Sequence, residues 1–159
     1  MRKNPSDRER RGANSLDDRF ISYLYCFNEL RDYFECHEYG ESVWLDSGRP
    51  TLLKGLIQAA VCLYHLEGGN ARGGWRMWNR AREYLKETDE YEGTDIHRLV
   101  QDIDDVWQHV PEAWRRESLT REQVQSLQLP TVQIQINNEE LKQVVADWTI
   151  PSHAHEESD

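Results

Sequence analysis

Residues 23–44 read YLYCFNELRDYFECHEYGESVW, residues 52–69 read LLKGLIQAAVCLYHLEGG, and the short connection between them holds Asp46, Ser47, Gly48 and Pro50. In the first block Tyr23, Phe27, Leu30, Phe34, His37, Glu41 and Trp44 recur at alternating steps of four and three, the spacing of one helical face. The second block is apolar nearly all round, which marks a buried helix. It falls short of the ~20 residues of a membrane span, and Gln58 and His65 interrupt it. A connection containing Gly and Pro stops one helix and turns the chain back, so the two blocks are expected to lie antiparallel.

This spacing sets His37 and Glu41 inside an apolar stripe, close enough to share a third atom. Glu38 is rotated off that line by about 100°. On the second helix Gly55, Gln58, Cys62, His65 and Gly69 form a face whose small residues suit the close approach of that stripe. The opposite side, with Leu56, Ala60, Leu63 and Tyr64, is expected to pack elsewhere. The two faces together predict a semi-buried cluster of His37, Glu41, Gln58 and His65. A carboxylate in such a place must meet a cation, a metal or hydrogen-bond donors, or be protonated.

Several readings follow from that cluster. It can be a closed polar network that fixes helix register. It can be a pocket in which His37, Glu41 and Gln58 orient a small polar ligand against an apolar wall of Trp44 or Tyr64. It can hold a divalent metal (zinc, iron or manganese) on His37, Glu41 and His65, with Gln58 behind them and Glu38 as general base of a hydrolase-like enzyme. The last reading leaves the cluster to stability alone and gives the chain a scaffold role through its C-terminal part. The first two are the preferred ones, a structural or small-ligand-binding module.

Phe27-Asn28, the run Phe34-Glu35-Cys36-His37-Glu38-Tyr39-Gly40-Glu41-Ser42-Val43-Trp44, then Gly55-Leu56-Ile57-Gln58-Ala59-Ala60, His65, Gly69-Asn70 and Gly73 resemble the family called domain of unknown function 309. The resemblance covers Phe27 to Leu85 and implies a small all-helical domain with a His-Glu, Glu, Trp pattern ahead of a Gly-Leu-Ile-Gln helix. That family has no assigned reaction, so the resemblance implies a fold and a site. The sequence departs from the family at Lys54, often Gln there, and around Leu30, where a turn Gly is common. The second departure leaves open whether Tyr23 to Trp44 is one helix or two.

A chain of 159 residues with 30% charged and 38% hydrophobic residues suits one globular domain. Its net charge of −10 argues against a general nucleic-acid binder, whose affinity comes from neutralising phosphates. Cys26, Cys36 and Cys62 form no CxxC pair, which fits reduced thiols and a cytoplasmic location. Residues 1–14, of mixed charge, read as a disordered arm rather than a signal peptide. Ser15 is expected to cap a first helix from Leu16.

Further on, Asn70 sits in a Gly-rich turn, where it can cap the next helix and is a further ligand-binding candidate. An ordinary turn is preferred there over an anion site, since GxxxxGK[ST] is absent. Helices are predicted over Trp75 to Thr88 and from Thr94 or Asp95 to Val110, with Ile96, Leu99, Val100, Ile103, Val106 and Trp107 facing the core. Thr120 with Gln123 forms a capping box for a short helix to Leu127. Thr131 to Ile136 alternates as a strand does, open to docking on the bundle, pairing in a homodimer or binding a peptide edge. A short amphipathic helix follows Asn137 or Asn138, and residues 151–159 read as a disordered acidic tail. The expectation is an all-α bundle of about four main helices over 15–110, a loosely attached extension over 111–150, and no membrane segment.

Overall fold

The computed structural model describes residues 16–151, so the expected arm, the Ser15 cap and the tail beyond Pro151 lie outside the described residues. Helix α1, Asp18–Tyr25, begins behind Asp17, whose carboxylate accepts from the Arg19 amide at 2.8 Å. A π-helical turn, Cys26–Leu30, follows, and Arg31 closes it in the left-handed region at φ 56°. Asp32 then caps α2, Tyr33–Asp46, by accepting from the Glu35 amide at 3.1 Å. The stretch from Tyr23 to Trp44 is therefore two α-helices joined by the π turn, and the described residues up to Gln108 hold five α-helices.

That break corrects the stripe expected from spacing. The extra residue of the π turn and the left-handed corner reset the helical phase, so the buried side of α2 is Tyr33, Cys36, Tyr39, Gly40 and Val43. Tyr23 and Phe27 are buried as expected, whereas Leu30, Phe34 and Glu41 reach the surface and His37 is only partly covered.

Helices α3, Thr51–Glu67, and α4, Ala71–Leu85, form the most extensive helix pair. Gly69 turns the chain between them at φ 93°, and a side chain there would overlap the Leu119 carbonyl. Asn70 caps α4, its Oδ1 accepting from the Gly73 amide at 2.9 Å. The helix thus starts at Ala71, ahead of the expected Trp75, and takes Gly73 and Gly74 into its first turns. Those glycines serve packing instead of termination: a Cβ on Gly74 would lie 2.9 Å from the Cys62 carbonyl oxygen. A further correction concerns the small-residue face of α3. A Cβ on Gly55 would meet Leu85 and Tyr84, so the Gly55 end of that face turns to α4.

Beyond α4 a tight hairpin pairs β1, Glu90–Tyr91, with β2, Thr94–Asp95, through Glu92 and Gly93, both at positive φ. Helix α5, Ile96–Gln108, buries the six apolar residues expected of it. Two of its acidic residues are tied to arginines: Asp102 to Arg98, and Asp104 to Arg82 and to the Trp78 indole N–H at 2.8 Å. A 3-10 turn, Glu112–Arg116, leads to α6, Arg121–Leu127, which carries the capping box of Thr120 and Gln123. Among the described residues no helix is long and apolar enough to cross a membrane.

The alternating segment docks on the bundle. Val132, Ile134 and Ile136 are buried, and the Asn28 side chain grips Ile134 from both sides of its amide: Nδ2 donates to the Ile134 carbonyl at 2.9 Å and Oδ1 accepts from the Ile134 N–H at 2.8 Å. On the other edge the Asp95 N–H donates to the Gln135 carbonyl and the Asn137 N–H to the Gly93 carbonyl. Helix α7, Glu139–Ala146, is capped by Asn138, and Trp148 donates its indole N–H to the buried Ser22 hydroxyl at 3.0 Å. Leu141 and Val145 join the same core as α1 to α5, which corrects the expectation of a loosely attached extension.

Asn28→Ala is expected to cost about 2–4 kcal/mol, because it strands two buried backbone groups of Ile134. Chemical denaturation measures the loss, and hydrogen exchange at the Ile134 amide should accelerate before that of α3. Arg31→Gly is expected to be neutral or stabilising by up to about 1 kcal/mol, since glycine adopts the left-handed corner without a Cβ penalty.

Candidate ligand groove on the helical hairpin

The residues of the motif lie along the solvent-facing seam of α2 and α3. A Cβ on Gly40 would come within 2.8 Å of Ile57, which fixes the depth at which the two helices meet. Trp44 near the end of α2 neighbours Lys54 at the start of α3, the Lys54 ammonium lying 5.8 Å from the indole centroid, with Arg49 5.4 Å away. Toward the other end, Tyr33, Phe34 and His37 of α2 and Val61, Tyr64 and His65 of α3 line a groove of about 180 Å³. On α3 the strip Lys54, Gln58, Val61 and His65 is partly exposed from end to end.

Four rings run in file across this groove. His37 to Phe34, Phe34 to Tyr64 and Tyr64 to His65 have centroid separations of 5.9, 5.7 and 5.8 Å, each pair tilted by between 45° and 57°. Phe34 is 47% exposed and Tyr64 48%. His37 stands between two carboxylates, its Nδ1 3.3 Å from Glu38 and its Nε2 4.0 Å from Glu41. Glu41 keeps about half of its side-chain surface open to water, 52%. Spacing placed it in the core; the phase reset in front of α2 places it on the rim.

Behind the far wall of the groove, Asn70 contacts His65. Its Oδ1 is committed to the Gly73 amide, so its Nδ2 faces His65 Nδ1 as a donor at 3.4 Å. The neutral ring then carries its proton on Nε2. Gln58 Oε1 and Trp44 Nε1 are buried without a hydrogen-bond partner in the protein. The structure thus brings His37, Glu38 and Glu41 together and puts His65 on the same groove, with Asn70 beside it in an adjoining depression, while Trp44 and Gln58 lie further along the seam.

Geometry corrects the expected metal set. Among the described residues no group of three or more His, Cys, Asp or Glu side chains converges as ligands of one ion would, and His37, Glu41 and His65 are not gathered. Cysteine chemistry does not replace it. Cys26, Cys36 and Cys62 are unpaired and buried. Burial, assisted by the nearby Asp32 and Glu35, pushes the Cys26 thiol up to about 12, and burial drives Cys36 and Cys62 in the same direction. Thiols held protonated are poor nucleophiles.

Phe34 is the groove residue that spacing assigned to the core. The signal was available, since Phe34 lies one turn before His37 and Tyr64 is next to His65 in the sequence, but its use required knowing that α2 restarts at Tyr33. A larger and more polar depression of about 570 Å³ lies elsewhere, beside the docked segment, with Arg31, Arg98, Lys142, Gln133 and Gln135 on its walls.

The sequence profile described as domain of unknown function (DUF309) matches residues 20–77, and that stretch of the chain is similar to this family. It spans most of α1, all of α2 and α3 and the first half of α4, and so contains the whole groove. Among curated proteins the chain is similar to the uncharacterized protein YpuF of Bacillus subtilis (strain 168), at 37% identity over 87 residues, which is 53% of this chain and 45% of that protein. The chain therefore spans less than half the length of that relative. No solved structure matches.

Because the rim carboxylates and imidazole are solvated, His37→Ala and Glu41→Gln are each expected to change stability by less than about 1 kcal/mol. Equilibrium denaturation compared with Asn28→Ala checks this contrast. With a thiol-specific chromophoric disulfide at neutral pH, the native chain should show no fast-reacting cysteine, and the denatured chain should show all three.

Proposed function

We propose that the domain is a small-ligand-binding module whose site is the groove between α2 and α3. The observation that carries the reading is the display of the motif on a solvent-facing seam. Phe34 and Tyr64 forgo much of the roughly 1.5–3 kcal/mol that full burial of a large apolar side chain provides. His37 lines a groove that the core does not need for its own closure, and Glu38 and Glu41 stand beside the His37 ring. A network kept for stability alone would be buried and closed, whereas this one is open on one side. Groove walls that are apolar, with a few converging polar groups, are the usual composition of a ligand site.

The alternative of a metal-dependent hydrolase with Glu38 as base has less support, because its three ligands do not converge. The scaffold alternative has less support as well. Asn28 and the β-hairpin already occupy hydrogen-bonding groups along the 131–136 segment, reducing the edge offered to a partner strand. Three free, buried cysteines support a reducing, cytoplasmic setting.

The test is amide NMR of the chain titrated with a mixed set of small aromatic, amine, acid and neutral fragments. Shifts are expected at His37, Val61, Tyr64 and His65, and they should vanish in Phe34→Ala/Tyr64→Ala with the remaining spectrum intact. A fragment set that moves none of these signals would overturn the reading.

A further inference from the structure

We propose that the groove takes an organic cation, an ammonium group with a small apolar body, seated on the Phe34 and Tyr64 rings beside the Glu38 and Glu41 carboxylates. This rests on the reading of the groove as a ligand site and names the chemistry of the occupant.

Two independent features converge on positive charge. The first is the ring file. Phe34 and Tyr64 meet at 46° with centroids 5.7 Å apart, so their faces form a shallow V open to solvent. Ring faces carry the negative lobe of the quadrupole, and a cation within about 6 Å of a ring centroid is attracted to it. A neutral apolar body would gain from the same walls by burial alone, so the V by itself favours a cation only in part.

The second feature is the charge around it. Glu38 and Glu41 both lie beside His37, one helical turn from Phe34, and both are more than half exposed, at 53% and 52%. Glu67 lines the adjoining depression with Tyr64, His65 and Asn70. Burial raises the Glu67 carboxyl, and the nearby Arg31 offsets part of that rise. Neither depression is lined by a lysine or an arginine. The nearest cation along the seam, Lys54, is held between Trp44 and Tyr84 at 5.8 and 5.6 Å. That arrangement shows, further along the same seam, the ammonium-on-aromatic contact that the groove offers to a ligand.

A volume of about 180 Å³ suits a trimethylammonium or a comparable alkylamine head and leaves the remainder of a larger molecule outside. An anion of the same size would meet the field of the nearby carboxylates, with no lysine or arginine on the groove wall to offset it. Charge, more than shape, is therefore what the groove discriminates.

The experiment compares choline with 3,3-dimethylbutan-1-ol, which has the same shape with carbon in place of the charged nitrogen. Amide and ring NMR titrations of the full chain give a Kd for each. Choline is expected to bind about tenfold more tightly, the equivalent of one or two cation–π contacts together with a carboxylate. Phe34→Leu/Tyr64→Leu keeps apolar walls and should remove most of that preference. Glu38→Gln/Glu41→Gln should weaken choline and leave the alcohol unchanged. Equal affinities, or tighter binding of the alcohol, would overturn the cation and leave a ligand groove in place. Silence from both probes, with other fragments still shifting groove signals, would also overturn the cation alone. Silence from every fragment would overturn the groove reading as well.

Discussion

A single carbonyl organises the N-terminal half. Cys26 O accepts from the Arg31 amide and, at 3.0 Å, from the Asp32 amide, closing the π turn and stopping α1 in one step. The corner places a non-glycine residue in the left-handed region, which costs of order 1 kcal/mol. Phe27 and Tyr33 on either side of it pack edge to face at 5.2 Å in the core, and burying two rings outweighs that strain several-fold. The corner also decides which side of α2 is covered. With Tyr33, Cys36, Gly40 and Val43 turned inward, the residues one step around the helix, Phe34, His37 and Glu41, can only face outward. The π turn gives Asn28 its position as well: a side-chain amide placed like a strand neighbour, ready to receive a backbone segment 106 residues away.

These two consequences mark where the sequence stops being readable. Helices α3 and α5 were legible because their apolar periodicity is long and their ends carry Gly, Pro or a capping residue. The Asn70 cap, the Thr120–Gln123 capping box, and Asn138, one of the two caps considered before the last helix, all operate as their side-chain chemistry requires. The phase of α2 was not legible. An unbroken three–four pattern ran straight through Leu30, and the residue that breaks it is an arginine at a position where a glycine would have announced a turn. Gly73 and Gly74 misled in the opposite sense. Two adjacent glycines read as a stop, yet Gly74 is needed for the close approach of α4 to Cys62 and Trp107, a demand that comes from a neighbouring helix and leaves no trace in local composition. The docking of 131–136 was legible as alternation and not as an address, because its partner is one side chain far away in the chain.

The candidate site shows the same division. Its residue types and their adjacency on two antiparallel helices followed from spacing and from the short connection. Their burial did not, since burial depends on the phase of α2. The difference changes the chemistry. In a core, Glu41 would need a cation or a proton and the cluster would be a structural lock. On a rim it stays solvated, and so do Glu38 and the open edge of His37, so their fields extend to whatever enters the groove.

Rigidity is what makes such a field useful. The seam walls are anchored from behind: the Tyr23 hydroxyl donates to the Leu56 carbonyl at 2.6 Å, Gly40 sits against Ile57, and the Cys36 thiol contacts the Tyr23 carbonyl at 3.4 Å. The ring file rides on helices whose opposite faces are fully packed, so a ligand need not order its own site, and the entropy of arranging those walls is met during folding. Helix spacing sets the distance between Phe34 and His37 and between His37 and Glu41, while the contact of Gly40 with Ile57 sets the distance across to Tyr64. Enlarging Gly40 would push α2 off α3 and widen the V between the two rings. The smallest residue on the buried side of α2 therefore controls the geometry of the aromatic pair on its exposed side.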